Sequence, residues 1–376
     1  MKRFPIEKFL RPECAGFEPY AAGKPVETIK RELGLRRVVK LASNENPMGP
    51  SPRALSAMKK ALEKLYFYPD SNSYTLRQTI AADSGTTAQN IMLGAGSDEL
   101  IALIGMAFLQ PEDEVVISEH AFVRYQMAAR LMGARIVRAP MKGFTHDLEA
   151  MAAAVTSRTK IVFIANPNNP TGTYVTAVEL RRFFKAMLAR RRGTPPLVVM
   201  DEAYYEYAAL HRDYPRTVPL LSKYPGLIIL RTFSKIYALA GLRVGYGFAS
   251  REVVDYIDRI RPPFNINSLA QAAAAASLGD KEQVKKGVAL TKEGKRWVGS
   301  ELSRMGLPFV PSATNFLLFD VSPRLGMDVF KELLRKGVIV RPMGEYDYPH
   351  HVRVTIGLPQ ENQLFIRSLK QIIARK

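Results

Sequence analysis

Leu227-Ile228-Ile229-Leu230-Arg231-Thr232-Phe233-Ser234-Lys235 has the composition of a strand buried on both faces, ending in a polar cluster with a lysine. The same grammar recurs upstream. Ile91-Met92-Leu93 leads into Gly94-Ala95-Gly96-Ser97-Asp98, and Ile161-Val162-Phe163-Ile164 leads into Asn166-Pro167-Asn168-Asn169-Pro170-Thr171-Gly172. Leu197-Val198-Val199-Met200 leads into Asp201-Glu202-Ala203-Tyr204, and Glu114-Val115-Val116-Ile117 is a fifth apolar run. Longer amphipathic segments separate these runs. The alternation predicts an α/β fold with a mainly parallel sheet covered by helices. In such sheets ligands bind outside the carboxyl ends of the strands, so four polar clusters are expected to meet along one edge.

Residues 281–376 read differently, with long helical patterns followed by shorter strands. His351-Val352-Arg353-Val354-Thr355-Ile356 alternates with period two, which places Val352, Val354 and Ile356 on one face and Arg353 and Thr355 on the other. We therefore expect a large domain over 46–268 and a smaller α+β domain made of 1–45 plus 269–376.

The bulk properties narrow the function. Hydrophobic residues make up 47% of the 376 and charged residues 24%, ordinary values for a globular protein. Cys14 is the only cysteine, which excludes an internal disulfide and a thiolate metal cluster. No apolar segment follows the basic N-terminus, and the longest apolar run, Ile101 to Leu109, is far below the ~20 residues that span a bilayer. A cytoplasmic protein with no membrane partner is expected. The formal charge is +19, from 54 Lys and Arg against 35 Asp and Glu. The basic residues are scattered in short clusters such as Arg190-Arg191-Arg192, so no nucleic acid is expected. The charge would instead draw in small anions.

Several chemistries are missing. There is no G-x-x-x-x-G-K-[ST] loop, no G-x-S-x-G elbow, and no metal-ligand spacing among the five histidines. What is left is a lysine. A nucleophilic lysine must be desolvated or sit near another cation, and Lys235 follows a buried strand with Arg243 eight residues on. Thr232, Ser234 and Arg243 can converge on one anion. Ser97 is expected to cap the helix after Gly96, whose free N–H groups would hold the same phosphate. Asp201, at a buried strand end, needs a partner, and a protonated pyridine nitrogen would serve.

Asn166–Gly172, Asp201–Tyr204, and Ser234-Lys235 with Arg243 resemble the motif set of the fold-type I pyridoxal-phosphate aminotransferases. Lys40-Leu41-Ala42-Ser43-Asn44-Glu45-Asn46-Pro47, Tyr68-Pro69-Asp70, Arg231 to Arg243, and Val352 to Gly357 are similar to the histidinol-phosphate aminotransferase group within it. The resemblance implies a seven-stranded-type sheet and pyridoxal 5′-phosphate as cofactor. It implies amino transfer between L-histidinol phosphate and 2-oxoglutarate, by a homodimer. Aromatic amino acid aminotransferases, and decarboxylases of phosphorylated amino acids, share the scaffold. Position by position it implies that Lys235 forms the Schiff base, Asp201 pairs with the pyridine nitrogen, and Asn169 and Tyr204 contact the ring 3-oxygen. Gly96, Ser97, Asp98, Thr232, Ser234 and Arg243 hold the phosphate, and Tyr68 reaches it from the partner subunit. Phe122 stacks on the ring where the group usually has tyrosine. Arg353 clamps the substrate carboxylate, Asn169 assists, and Arg341 and Tyr20 lie near the substrate's phosphate.

Overall fold

The computed structural model describes residues 4, 6–17, 26–190 and 194–374. Tyr20 therefore lies outside the described residues.

The sheet predicted from the apolar runs has seven strands. They are β1 (Ile91–Gly94), β2 (Glu114–Ser118), β3 (Arg135–Ala139), β4 (Thr159–Ala165), β5 (Leu197–Asp201), β6 (Leu227–Thr232) and β7 (Gly245–Phe248). Their spatial order is β1-β7-β6-β5-β4-β2-β3. All neighbours run parallel except β7, which is antiparallel to both β1 and β6. β3 and β7 were not among the five runs read from the sequence. β3 carries two arginines and lies at an edge, and β7 is interrupted by glycine, so neither has a continuous apolar run.

Period-two alternation explains why the inner strands are apolar throughout. Val162, Ile164, Val198, Met200, Leu227 and Ile229 enter the core on one face. Ile161, Phe163, Val199, Ile228 and Leu230 enter a second core on the other. A strand that serves two cores has no position left for a polar side chain until its end. Each such buried aliphatic or aromatic side chain contributes roughly 1.5–3 kcal/mol.

The covering helices carry their own start signals. Ser51 Oγ accepts from Ala54 N ahead of helix Pro52–Leu62, with proline at the first helical position. Asn267 caps the alanine-rich helix Ser268–Leu278, whose Ala270, Ala273 and Ala274 join the first core. Asp280 caps the 24-residue helix Lys281–Arg304.

A second, antiparallel sheet is ordered Phe309–Val310, Phe316–Asp320, Tyr348–Thr355, Arg341–Met343. It packs on the helices Gly326–Arg335 and Pro359–Ile373 through Leu317, Phe319, Val352, Val354, Leu333 and Phe365. Val39–Lys40 pairs in parallel with Val338–Ile339, tying the chain before Asn46 to this part of the molecule. Among the described residues no helix is long and apolar enough to cross a membrane.

Candidate active site

The carboxyl ends of β4, β5 and β6 open into one cavity of about 530 Å³. Asn169, Asp201, Tyr204, Thr232, Ser234 and Lys235 line it, so the expected polar clusters do meet. Ser97 and Asp98 join them from the start of helix Ser97–Phe108, Phe122 and Arg243 from loops, and Arg341 and Arg353 from the small sheet. Six basic side chains (Lys40, Arg124, Lys235, Arg243, Arg341, Arg353) face four acidic ones (Glu45, Asp98, Asp201, Glu345), which suits an anionic ligand.

Lys235 is half-buried, and its Nζ donates to the backbone carbonyl of Ser43 at 3.2 Å. Desolvation, helped by the Arg353 and Arg243 charges, pushes its ammonium down to about 8, against the opposing pull of Glu45 and Asp201. Asp201 is buried at the end of β5. Its Oδ2 accepts from the Tyr125 hydroxyl at 2.7 Å and its Oδ1 from Ala203 N at 3.0 Å. Desolvation pushes its carboxyl up to about 6 even though both hydrogen bonds favour the charged form. A cationic ring nitrogen beside it would offset that burial cost.

The phosphate end is built by close approach. Gly96 takes φ +85°, and a Cβ there would lie 2.6 Å from Arg243 Nη2. A Cβ at Gly245 would lie 2.3 Å from Ser97 N. Only glycine at both places lets the guanidinium and the turn come this close. Arg243 itself takes φ +54°, a strained value for a side-chain-bearing residue. Its Nη1 donates to Ser234 Oγ at 3.5 Å, and Ser234 N donates to Thr232 Oγ1 at 3.1 Å. One expectation is corrected here. Ser97 is the first residue of helix Ser97–Phe108 and not its cap; Gly96 occupies the cap position because the turn needs a positive φ. The N–H groups of the first turn still lack intrahelical partners.

Arg353 lies on the face of its strand read as polar, yet it is only 7% exposed. Its strand is flanked on both sides, so the alternation here separates a helix-packed face from a site-facing one. Arg353 Nη1 donates to Asn169 Oδ1 and Nη2 to the carbonyl of Ala42 at 2.8 Å. Arg341 makes a bidentate pair with Glu345, Nε donating to Oε1 at 3.0 Å and Nη2 to Oε2 at 2.8 Å. Phe122 lines the cavity edge-on to Tyr125, with centroids 5.8 Å apart. Tyr68 is not brought to this cavity. It is 82% exposed and stacks on Phe264.

The sequence model for "Aminotransferase class I and II" matches residues 36–369. The chain belongs to this aminotransferase family. Among its relatives, the histidinol-phosphate aminotransferase of Anaeromyxobacter sp. (strain Fw109-5) is 47% identical over 363 residues, covering 96% of this chain and 98% of that one. The corresponding protein of Moorella thermoacetica is 44% identical over 370 residues, covering 96% and 94%. The crystal structure of histidinol-phosphate aminotransferase from Sinorhizobium meliloti, in complex with pyridoxal-5′-phosphate, superposes with a TM-score of 0.88. It is 28% identical, with coverage of 100% of this chain and 98% of that one.

Three residues of this aminotransferase's site went unassigned in the sequence. Tyr125 sits three positions after Phe122, one helical turn on, so a helix reading of 123–131 would have put both on one face. Asn44 lies in the quoted Lys40–Pro47 stretch without a role, and Glu345 carries no local signal.

Proposed function

We propose that this chain is a pyridoxal-phosphate enzyme that moves an amino group between L-histidinol phosphate and 2-oxoglutarate. The observation that carries the reading is the convergence of Lys235, Asp201, Arg243 and Arg353 on one cavity. Relatives 42–47% identical over almost the whole chain, each named histidinol-phosphate aminotransferase, support the substrate.

The residues fit the cofactor. Thr232, Ser234, Arg243 and the Gly96-Ser97-Asp98 turn would hold its phosphate, Asp201 its ring nitrogen, Asn169 and Tyr204 its 3-oxygen, and Phe122 its face. When bound, the ring supplies an electron sink for the substrate carbon that loses its proton. Lys235 Nζ, neutral often enough near neutral pH to act as a nucleophile, would hold the cofactor's carbonyl carbon and, once released as the free amine, would carry that proton. Asp201 would favour the protonated ring nitrogen. Arg353 and Arg341 hold the anionic ends of the two substrates, a carboxylate in the oxo acid and a phosphate ester in the amino donor.

The enzyme works as a C₂ homodimer in the cytoplasm, with Tyr68 completing the partner's phosphate site. Exposed Leu62, Leu65, Tyr66, Phe67, Tyr68 and Phe264 support that interface. Light scattering of wild type and Tyr68→Glu tests it, with a monomeric wild type as the contrary result.

Stopped-flow half-reactions test the activity. Histidinol phosphate should bleach the cofactor's visible band with kcat/KM well above that for phenylalanine or tyrosine, and 2-oxoglutarate should restore it. Lys235→Ala should form no such band; full transamination by that variant would refute the assignment.

A further inference from the structure

Asn44 is 2% exposed and sits at φ +57°, a backbone region that asparagine tolerates better than most side chains. Four hydrogen bonds hold it. Its N donates to Thr355 Oγ1 at 3.0 Å, Thr355 Oγ1 lies 3.1 Å from its Oδ1, Asn315 Nδ2 donates to its carbonyl at 3.0 Å, and its Nδ2 donates to the Tyr204 hydroxyl at 2.7 Å.

These contacts fix proton directions in sequence. The Thr355 hydroxyl accepts the backbone N–H of Asn44 and donates its own hydrogen to Asn44 Oδ1, the arrangement that lets Nδ2 reach the Tyr204 oxygen. The amide is thereby oriented with Nδ2 toward Tyr204. The Tyr204 oxygen becomes an acceptor on that side, and its single hydrogen is left to point into the cavity. The same segment bears directly on the catalytic groups, since the carbonyls of Ala42 and Ser43 accept from Arg353 and Lys235.

We propose that Asn44 is a positioning residue that makes Tyr204 a one-way hydrogen-bond donor to the ring 3-oxygen of the bound cofactor. The inference rests on the pyridoxal-phosphate reading above. A donor aimed at that oxygen stabilises its negative charge, and donation from Asn44 strengthens the donor in turn. The proton shared between the 3-oxygen and Lys235 nitrogen then leaves at a lower pH than it otherwise would.

The test titrates the visible absorption of the cofactor-loaded protein against pH, with the cofactor's dissociation rate as a second readout. Asn44→Gly accepts the positive φ and removes only the side chain. It should move the titration upward by about one pH unit, the size of one net hydrogen bond. Asn44→Asp, nearly isosteric, turns a donor into an acceptor that captures the Tyr204 hydrogen, and should move it further in the same direction. In a Tyr204→Phe background Asn44→Gly should add nothing, whereas a purely structural role would still shift the band. Two results would overturn the proposal: Asn44→Gly and Asn44→Asp titrating at the wild-type pH, or Asn44→Gly shifting the band equally with and without Tyr204. If wild type forms no visible band with pyridoxal phosphate, the cofactor reading itself fails, a distinct outcome.

Discussion

The Tyr125 hydroxyl donates to Asp201 Oδ2 at 2.7 Å in the wall of the cavity, and Tyr125 is stacked flat on Phe163 at 4.8 Å. The phenol is sealed in the core, where desolvation and the Asp201 charge hold its ionisation well above the usual range. It therefore stays a donor at any working pH.

Tyr125→Phe should loosen cofactor binding. Without the phenol, Asp201 keeps only the Ala203 N–H, so its carboxyl becomes easier to protonate and a poorer partner for a cationic ring nitrogen. A hydrogen bond to a charged group is worth ~1.5–3 kcal/mol, which corresponds to a Kd for pyridoxal phosphate raised about ten- to a hundredfold. Equilibrium titration from pH 5 to 8 checks this, and the deficit should deepen toward the acid end.

Lys235 should label like no ordinary lysine. With its ammonium at about 8, roughly one-tenth of the amine is neutral at pH 7, against well under one part in a thousand for a lysine at 10.5. Brief reductive methylation of cofactor-free protein, read by peptide mass spectrometry, should modify Lys235 and Lys295, whose ammonium burial also pushes down to about 8, ahead of the surface lysines, and bound cofactor should protect Lys235 alone. The linkage has a definite sign. Between about pH 8 and 10.5 the unfolded chain binds more protons at this site than the folded one, so its penalty on stability fades as pH rises through that window. Lys235→Met should thus stabilise the cofactor-free protein at pH 7 and lose that advantage above pH 10.5.

The buried pair behind the site should tolerate joint loss better than single loss. Glu202 is 0% exposed, and its carboxylate accepts from Arg231 at 2.9 and 3.0 Å and from Thr217 Oγ1 at 2.6 Å. Arg231→Met leaves an uncompensated buried carboxylate and should cost ~3–5 kcal/mol. Arg231→Met with Glu202→Leu should recover much of it. Urea unfolding of the single and the double variant separates the cases, and equal losses from both would contradict the ion-pair account.

Under the proposed function, Glu345, paired with Arg341, would compete with substrate for that guanidinium. Glu345→Gln should lower KM for a phosphate-bearing donor about two- to fivefold, the scale of a half-exposed ion pair, with kcat little changed. An unchanged or raised KM would show that the carboxylate is not in the substrate's way.

The layered fold and the edge where the chemistry gathers are legible in the order of residues alone. Strands such as Ile161–Ile164 and Leu227–Leu230 announce two-sided burial through continuous apolar composition, and each polar cluster follows its strand directly. Those are local signals, carried by periods of two residues and by neighbours in the chain. β7 escaped because Gly245 serves close approach to the Gly96 turn and Gly247 close approach to Ile229 and Met92, needs created by other strands. The pairing of Tyr125 with Asp201 spans 76 positions, that of Asn44 with Tyr204 spans 160, and that of Arg353 with Ala42 spans 311. Which donor meets which acceptor at such separations depends on sheet order, and a hydrogen bond needs its atoms placed within a few tenths of an ångström. Only the tertiary structure decides that, and it turned a row of plausible residues into an oriented network around Lys235.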